Sequence, residues 1–320
     1  MDSGGADAVV SRRMQEKLRR EMGDQMATWL SEPDVIEIML NPDGTLWVDR
    51  AGRGMLQEGI MTASKAEAMM GTIAAVHGVV VNYEQPILEC ELPFDGSRFE
   101  GLLPPIVSAP AFAIRRHAIA IFTLDQYVEK GILTQVQREL IRKAVGDRRN
   151  ILVVGGTGSG KTTLVNAIIG EMVDEAPDDR LVILEDTREI QCRAKNVVQQ
   201  RTEGAIDMTA LLRANLRLRP DRIIVGEVRG PEALALLKAW NTGHSGGAGT
   251  VHANSAKAGL TRVEQLVGES SQAPQPAVIA EAINVLIFIQ RMPDGSRCVT
   301  EVVSVDGHDG HDYILTYFKE

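Results

Sequence analysis

Between Met14 and Met26 an apolar residue returns every fourth position, at Met14, Leu18, Met22 and Met26, with Lys17, Arg19 and Arg20 in the intervals and Arg12 and Arg13 just before. That period predicts one helix from Val9 to Leu30. Two readings of it stand: the Met/Leu stripe packs onto a core, or the basic amphipathic surface meets a membrane or a partner. Beyond it the period shortens. "VIEIMLNPDGTLWVDRAGRG" predicts strand, Pro-Asp-Gly turn and strand, and "TASKAEAMMGTIAAVHG" a helix ending at Gly78. "ILECELPFDGSRFEGLLPPI" reads as a second hairpin turning at Asp95-Gly96, and "AFAIRRH" as a further strand. These elements make a small α+β domain.

"TLDQYVEKGILTQVQRELIRKAVGDRRN" follows as two helices broken at Gly131. From Asn150 the texture changes. "NILVVGG", "LVILEDT", "DRIIVGEV" and "GAGTVHA" are short apolar runs separated by helical stretches. Unbroken apolar strands alternating with helices predict an α/β domain with a mostly parallel sheet covered on both faces. The expected organisation is an N-terminal helix over residues 1–30, the α+β domain over 31–125 and the α/β domain over 126–320. In such sheets ligands bind beyond the carboxyl ends of the strands.

Composition narrows the classes. The chain has 320 residues, 44% hydrophobic and 24% charged, ordinary for a globular protein of two domains. Its net charge of -9 and 4% aromatics argue against a broad duplex-DNA surface or a base-stacking channel. Cys90, Cys192 and Cys298 lie far apart with no CxxC spacing, which suits a reducing cytoplasm. The polar start "MDSGGADAVVSRR" predicts no signal peptide. The most apolar stretch, "PAVIAEAINVLIFIQ", is too short for the roughly 20 residues a bilayer span needs.

"GGTGSGKT", from Gly155 to Thr162, matches G-x-x-x-x-G-K-[ST] in full, after an apolar strand and before a helix. Its glycines let successive amides turn inward as an anion cradle. The candidate nucleotide-binding set is Gly155, Gly156, Thr157, Gly158, Ser159, Gly160, Lys161, Thr162 and Thr163. Lys161 can reach the β- and γ-phosphates, and the Thr162 hydroxyl can ligate Mg²⁺.

Hydrolysis also needs groups that hold metal and activate water. "LVILEDTRE" ends in Glu185 and Asp186, with Glu189 beyond; "RIIVGEVRG" ends in Gly226-Glu227, where an ordinary metal-binding strand would carry Asp before the Glu. Glu227 is read as the water-activating base, and Glu185 and Asp186 as metal- and water-ordering groups. The candidate metal set is Thr162, Glu185, Asp186 and Glu227. His252 ends its strand and can report on the γ-phosphate; His244, before that strand, is read equally as structural or functional. Arg98, Arg115 and Arg116 are either solvated strand-edge charges or arginines that close over the γ-phosphate. His308 and His311, among acids in the tail, read as a polar turn rather than a metal site.

The ordered set "GGTGSGKTT", "ILEDTRE", "LRLRPDRIIVGEVRG" and "TGHSGGAGTVHAN" resembles the secretion or traffic ATPases, with their Walker A loop, Asp box, Gly-Glu Walker B and His box. "FDGSRFEGLLPP" and "IRR" look most like the type IV secretion branch, and within it the conjugative-transfer ATPases. The resemblance spans roughly residues 35 to 290. It implies a RecA-like ATPase domain that uses ATP with Mg²⁺, and a homohexameric ring with nucleotide between the two domains of a subunit. It also implies partners among other inner-membrane secretion components and peripheral attachment to the cytoplasmic face of the inner membrane. Direct DNA binding is not expected, on the grounds of charge and aromatic content. Arg98, Arg115 and Arg116 match positions where relatives place γ-phosphate-contacting arginines. The function expected is an ATP-driven motor for pilus assembly or substrate transfer. The alternatives are a RecA-like helicase acting on DNA and a nucleotide switch with little turnover.

Overall fold

The computed structural model describes residues 3–116, 121–271 and 273–318. The chain divides into two units, Met1–Ile119 and Ala120–Glu320.

In the first unit α1 (Ser3–Met22) and α2 (Asp24–Trp29) stand in place of the single expected helix. Gly23, at φ 81°, makes the break. Leu18, Met22, Met26 and Trp29 are buried in the unit's core, while Arg13, Lys17, Arg19 and Arg20 are exposed. The stripe therefore packs inward; Arg12 lies outside the residues whose side chains are described. Next come β1 (Val35–Leu40), β2 (Thr45–Arg50), β3 (Gly54–Ile60), α3 (Ala63–Val76), β4 (Ile87–Glu91), β5 (Arg98–Leu102) and β6 (Ala111–Arg115). The six strands form one antiparallel sheet in the order β3-β2-β1-β6-β5-β4. Val48, Ile38, Ile114 and Phe99 lie opposite one another across it and are buried with Met69, Met70 and Ile73 of α3. β3 is an element that periodicity missed. Its Gln57, Glu58 and Gly59 break the apolar alternation, and it is an edge strand that buries little.

In the second unit α4 (Leu124–Glu129) and α5 (Gln135–Gly146) each begin with a capping box, Thr123 with Gln126 and Thr134 with Gln137. Such a cap contributes about 1 kcal/mol to each helix start, and Gly131, at φ 67°, breaks the chain between the two helices. There follow β7 (Ile151–Val154), α6 (Lys161–Glu175), β8 (Leu181–Glu185), β9 (Val197–Arg201), α7 (Met208–Asn215), β10 (Arg222–Val225), α8 (Glu232–Asn241) and β11 (Ala248–Val251). The chain closes with α9 (Ala256–Gly268), α10 (Pro276–Ala282), β12 (Val285–Arg291), β13 (Arg297–His308) and β14 (Tyr313–Tyr317).

The sheet order is β14-β13-β12-β7-β11-β10-β8-β9. From β12 to β9 all strands are parallel, and β13 and β14 extend the sheet antiparallel. The continuous apolar runs have a simple cause: both faces are covered. Leu152 and Val154 join one core with α7 to α10, and Ile151 and Val153 join the other with α4 to α6. β8, β10 and β12 divide their side chains between the cores in the same way. "PAVIAEAINVLIFIQ" splits into α10 and β12, and β12 lies beside β7 deep in this sheet. Among the described residues no helix is long and apolar enough to cross a membrane.

The amino ends of the parallel strands are tied by buried polar groups. Asn150 Oδ1 accepts from the amides of Gly246 and Gly247 at 2.8 and 3.0 Å, and its Nδ2 donates to Ala282 O at 2.7 Å. Arg222, 1% exposed, donates to Asp179 Oδ2 at 2.7 Å and to Gly246 O at 3.0 Å. The carboxyl ends are arranged differently.

Candidate active site

The loop from Gly155 to Gly160 joins β7 to α6, so its amides sit where a parallel strand ends and a helix begins. Two glycines are required by geometry. A Cβ at Gly155 would lie 2.3 Å from Ile289 O of β12, and Gly160 takes φ 96° at the helix N-cap. Lys161, the first residue of α6, is buried; its Nζ donates to Gly155 O and Gly156 O, both at 3.0 Å.

Across from the loop, β10 and β11 deliver Glu227 and His252. His252 Nε2 lies 2.9 Å from Glu227 Oε1, and the imidazole nitrogens lie 3.2 and 3.4 Å from Lys161 Nζ. A proton on Nε2 makes the first contact a hydrogen bond and leaves Nδ1 an acceptor toward the lysine. Glu227 Oε2 accepts from Arg229 Nη2 at 2.7 Å. Burial on its own would raise the Glu227 carboxyl. The hydrogen bond and charge of Arg229, backed by His252 and Lys161, outweigh it and hold Glu227 below the usual carboxylate range. Glu227 is therefore an anion at neutral pH. A cleft of about 420 Å³ opens here, lined by Thr157, Glu227, Val228, Arg229, His252 and Arg262.

Gly226, where an ordinary metal-binding strand has Asp, has a steric explanation. A Cβ there would lie 2.9 Å from Glu185 Cγ. Glu185, 3% exposed, fills that space and accepts from the amides of Glu189 and Ile190 at 2.9 and 2.8 Å through one oxygen. What Glu185 does in this structure is hold the segment after β8, and that segment places Glu189 Oε2 3.1 Å from the Thr162 hydroxyl. Glu189, which lay outside the expected metal set, is thereby brought against Thr162. Asp186 accepts from Thr202 Oγ1 at 3.2 Å and lies 3.8 Å from Arg229 Nη1.

His244 is not brought to this cluster. It precedes β11, beside Gly246 and Gly247 at the amino end of the sheet, while the loop leaves the carboxyl end. Arg98, Arg115 and Arg116 belong to the first unit. Arg98 and Arg115 face each other across β5 and β6, with Glu37 opposite Arg115 on β1. Arg116 donates through Nη1 to the carbonyls of Glu32 and Val35, which holds the turn before β1. His308 ends β13 opposite Tyr313, and His311 lies in the turn to β14, where Asp309 accepts from the amides of His311 and Asp312. Sequence reasoning missed Arg229, Arg262 and Arg297, the last donating to Gly158 O at 3.4 Å from β13. Arg229 had a signal, two residues after Glu227 at a strand end; Arg297 had none.

A phosphate loop facing a carboxylate–histidine–lysine chain at the carboxyl end of a parallel sheet defines the class as a P-loop nucleoside triphosphatase. A family model described as "Type II/IV secretion system protein" matches residues 51–311. The conjugal transfer protein TrbB of Rhizobium radiobacter is 50% identical over 308 residues, covering 96% of this chain and 95% of that one. A probable conjugal transfer protein TrbB of Sinorhizobium fredii is 51% identical over 294 residues, covering 92% and 90%. The X-ray structure of the Legionella pneumophila ATPase DotB shares the fold, with a TM-score of 0.63 at 19% identity over 90% of this chain and 80% of that one. The chain belongs to the type II/IV secretion system protein family and is one of its secretion and conjugation ATPases.

Proposed function

We propose that the protein hydrolyses ATP at the carboxyl end of the second unit's sheet and drives pilus assembly or substrate transfer in a conjugative type IV secretion apparatus. It acts as a homohexameric ring, with the second unit as its RecA-like domain, attached peripherally to the cytoplasmic face of the inner membrane beside other secretion components. The observation that carries the catalytic part is the chain of contacts in which His252 lies 3.2 Å from Lys161 Nζ at the start of α6 and 2.9 Å from Glu227 beyond β10. The conjugative part rests on the two TrbB relatives at half identity over nearly the whole chain.

In this reading Lys161 and the loop amides bind the phosphates, Glu227 orients and deprotonates the attacking water, and His252 links that carboxylate to the lysine. Among the described residues no three acidic, histidine or cysteine side chains gather to make a metal cage. The donors present still suit Mg²⁺, which favours hard oxygen ligands and keeps several waters: the Thr162 hydroxyl, with Glu189 against it, and the Asp186 carboxylate after β8. Bound there, Mg²⁺ would neutralise developing phosphate charge. Asp186, Glu189 and Thr162 would orient its water shell.

Phosphate release from Mg-ATP by the purified protein, abolished by Lys161→Ala, tests the enzyme reading; no release from the wild type overturns it. Equal release by Glu227→Gln and wild type would favour a binding switch. Salt-sensitive DNA binding with DNA-stimulated turnover would favour a translocase acting on DNA.

A further inference from the structure

Both carboxylate oxygens of Glu227 are engaged, Oε1 by His252 at 2.9 Å and Oε2 by Arg229 at 2.7 Å. A carboxylate that takes a proton from water needs a lone pair directed at that water. Each oxygen keeps a further lone pair for water, but a carboxylate held in a charge-assisted pair is a weaker base, so a partner that lets go would strengthen it. Arg229 is the one built to do so. Its side chain is 52% exposed and lines the cleft, whereas its backbone is tied down. The amides of Arg229 and Gly230 both donate to Glu232 Oε1, at 2.7 and 2.9 Å, and Glu232 is a buried residue opening α8. The guanidinium can turn while its loop stays put. Its planar fork matches phosphate oxygens as well as it matches a carboxylate. Asp186, 3.8 Å from its other nitrogen, and Glu189 add negative charge around it, and Arg262 lines the same cleft.

We propose that Arg229 is a positioning residue that exchanges partners during turnover: it restrains Glu227 until the terminal phosphate of a bound nucleoside triphosphate takes its guanidinium, which frees Glu227 for water. The inference rests on Glu227 as the water-activating group. It ties readiness of the base to the arrival of the third phosphate. A diphosphate, lacking that group, leaves the Arg229–Glu227 pair in place, so the base stands idle over product.

The test compares wild type with Arg229→Ala and Arg229→Lys, using displacement of a fluorescent nucleotide by ATP or ADP together with kcat and KM for Mg-ATP. Arg229→Ala should weaken ATP by on the order of tenfold while ADP stays within about twofold, because only ATP carries the group that forms the charge-assisted bond. Its kcat should also fall, and Arg229→Lys should recover a large part of both losses. Equal weakening of ATP and ADP, or a loss that lysine leaves untouched, would mark Arg229 as a loop-stabilising residue and overturn the proposal. Because discrimination of ATP from ADP is a binding measurement, it reads independently of whether the wild type hydrolyses at all.

Discussion

One sheet has two polar ends, and they are built on opposite terms. At the amino ends of its strands, Asn150, Arg222 and Asp179 are enclosed and matched to backbone and charge partners with ordinary geometry. At the carboxyl ends, Lys161, His252, Glu227 and Arg229 crowd three cations or potential cations around one carboxylate beside an open cleft. The first arrangement fixes strand order; the second keeps charge where an anion can reach it. Burial of a polar group says little until its partners are known.

That contrast can be broken by mutation. Lys161→Ala should lower kcat by roughly 10³-fold, while Tm moves by no more than about 4 °C, the equivalent of ~1 kcal/mol; a collapse in Tm would show that the carboxyl end is structural as well. Asp179→Asn leaves Arg222 buried with a lost counter-charge and should cost about 3 kcal/mol by denaturant titration, with kcat unchanged at temperatures where the protein is folded. Asn150→Ala removes the acceptor of two buried amides, and about 2 kcal/mol is expected by the same measurement. The smallest effect is in pH. Burial would raise the Asp179 carboxyl, but Arg222 and Arg148 outweigh it and hold it low. Its stabilisation is thus fully present above the unfolded value near pH 4 and is lost as pH falls through the lower folded value. Asp179→Asn should flatten the acid limb of a Tm–pH curve, and a limb of unchanged slope would remove Asp179 from the account.

The parts of this site that could be read from sequence are those held by local chemistry. The loop glycines, the helix after them and the strands carrying Glu227 and His252 follow from spacing and apolar runs. What could not be read depends on partners distant in the chain. Glu189 reaches Thr162 only because Glu185 holds its segment, and Gly226 is glycine only because Glu185 occupies the space beside it. His244 lies eight positions before His252 in "HSGGAGTVH", yet a short strand separates the two and sends them to opposite ends of the sheet. β9 and β12 were missed for a related reason. The first is a half-exposed edge strand, and β12 is apolar enough to suit helix or strand until β7 is beside it.

The β12–β13 hairpin forms a back wall for the nucleotide loop. Ile289 of β12 sets its carbonyl against Gly155, and Arg297 of β13 lies over Gly158 and Gly160. A fragment cut after α9 would keep every signature motif and still present a phosphate cradle with one side missing. Counting motifs would call such a fragment whole; the neighbours of two glycines say that it is not.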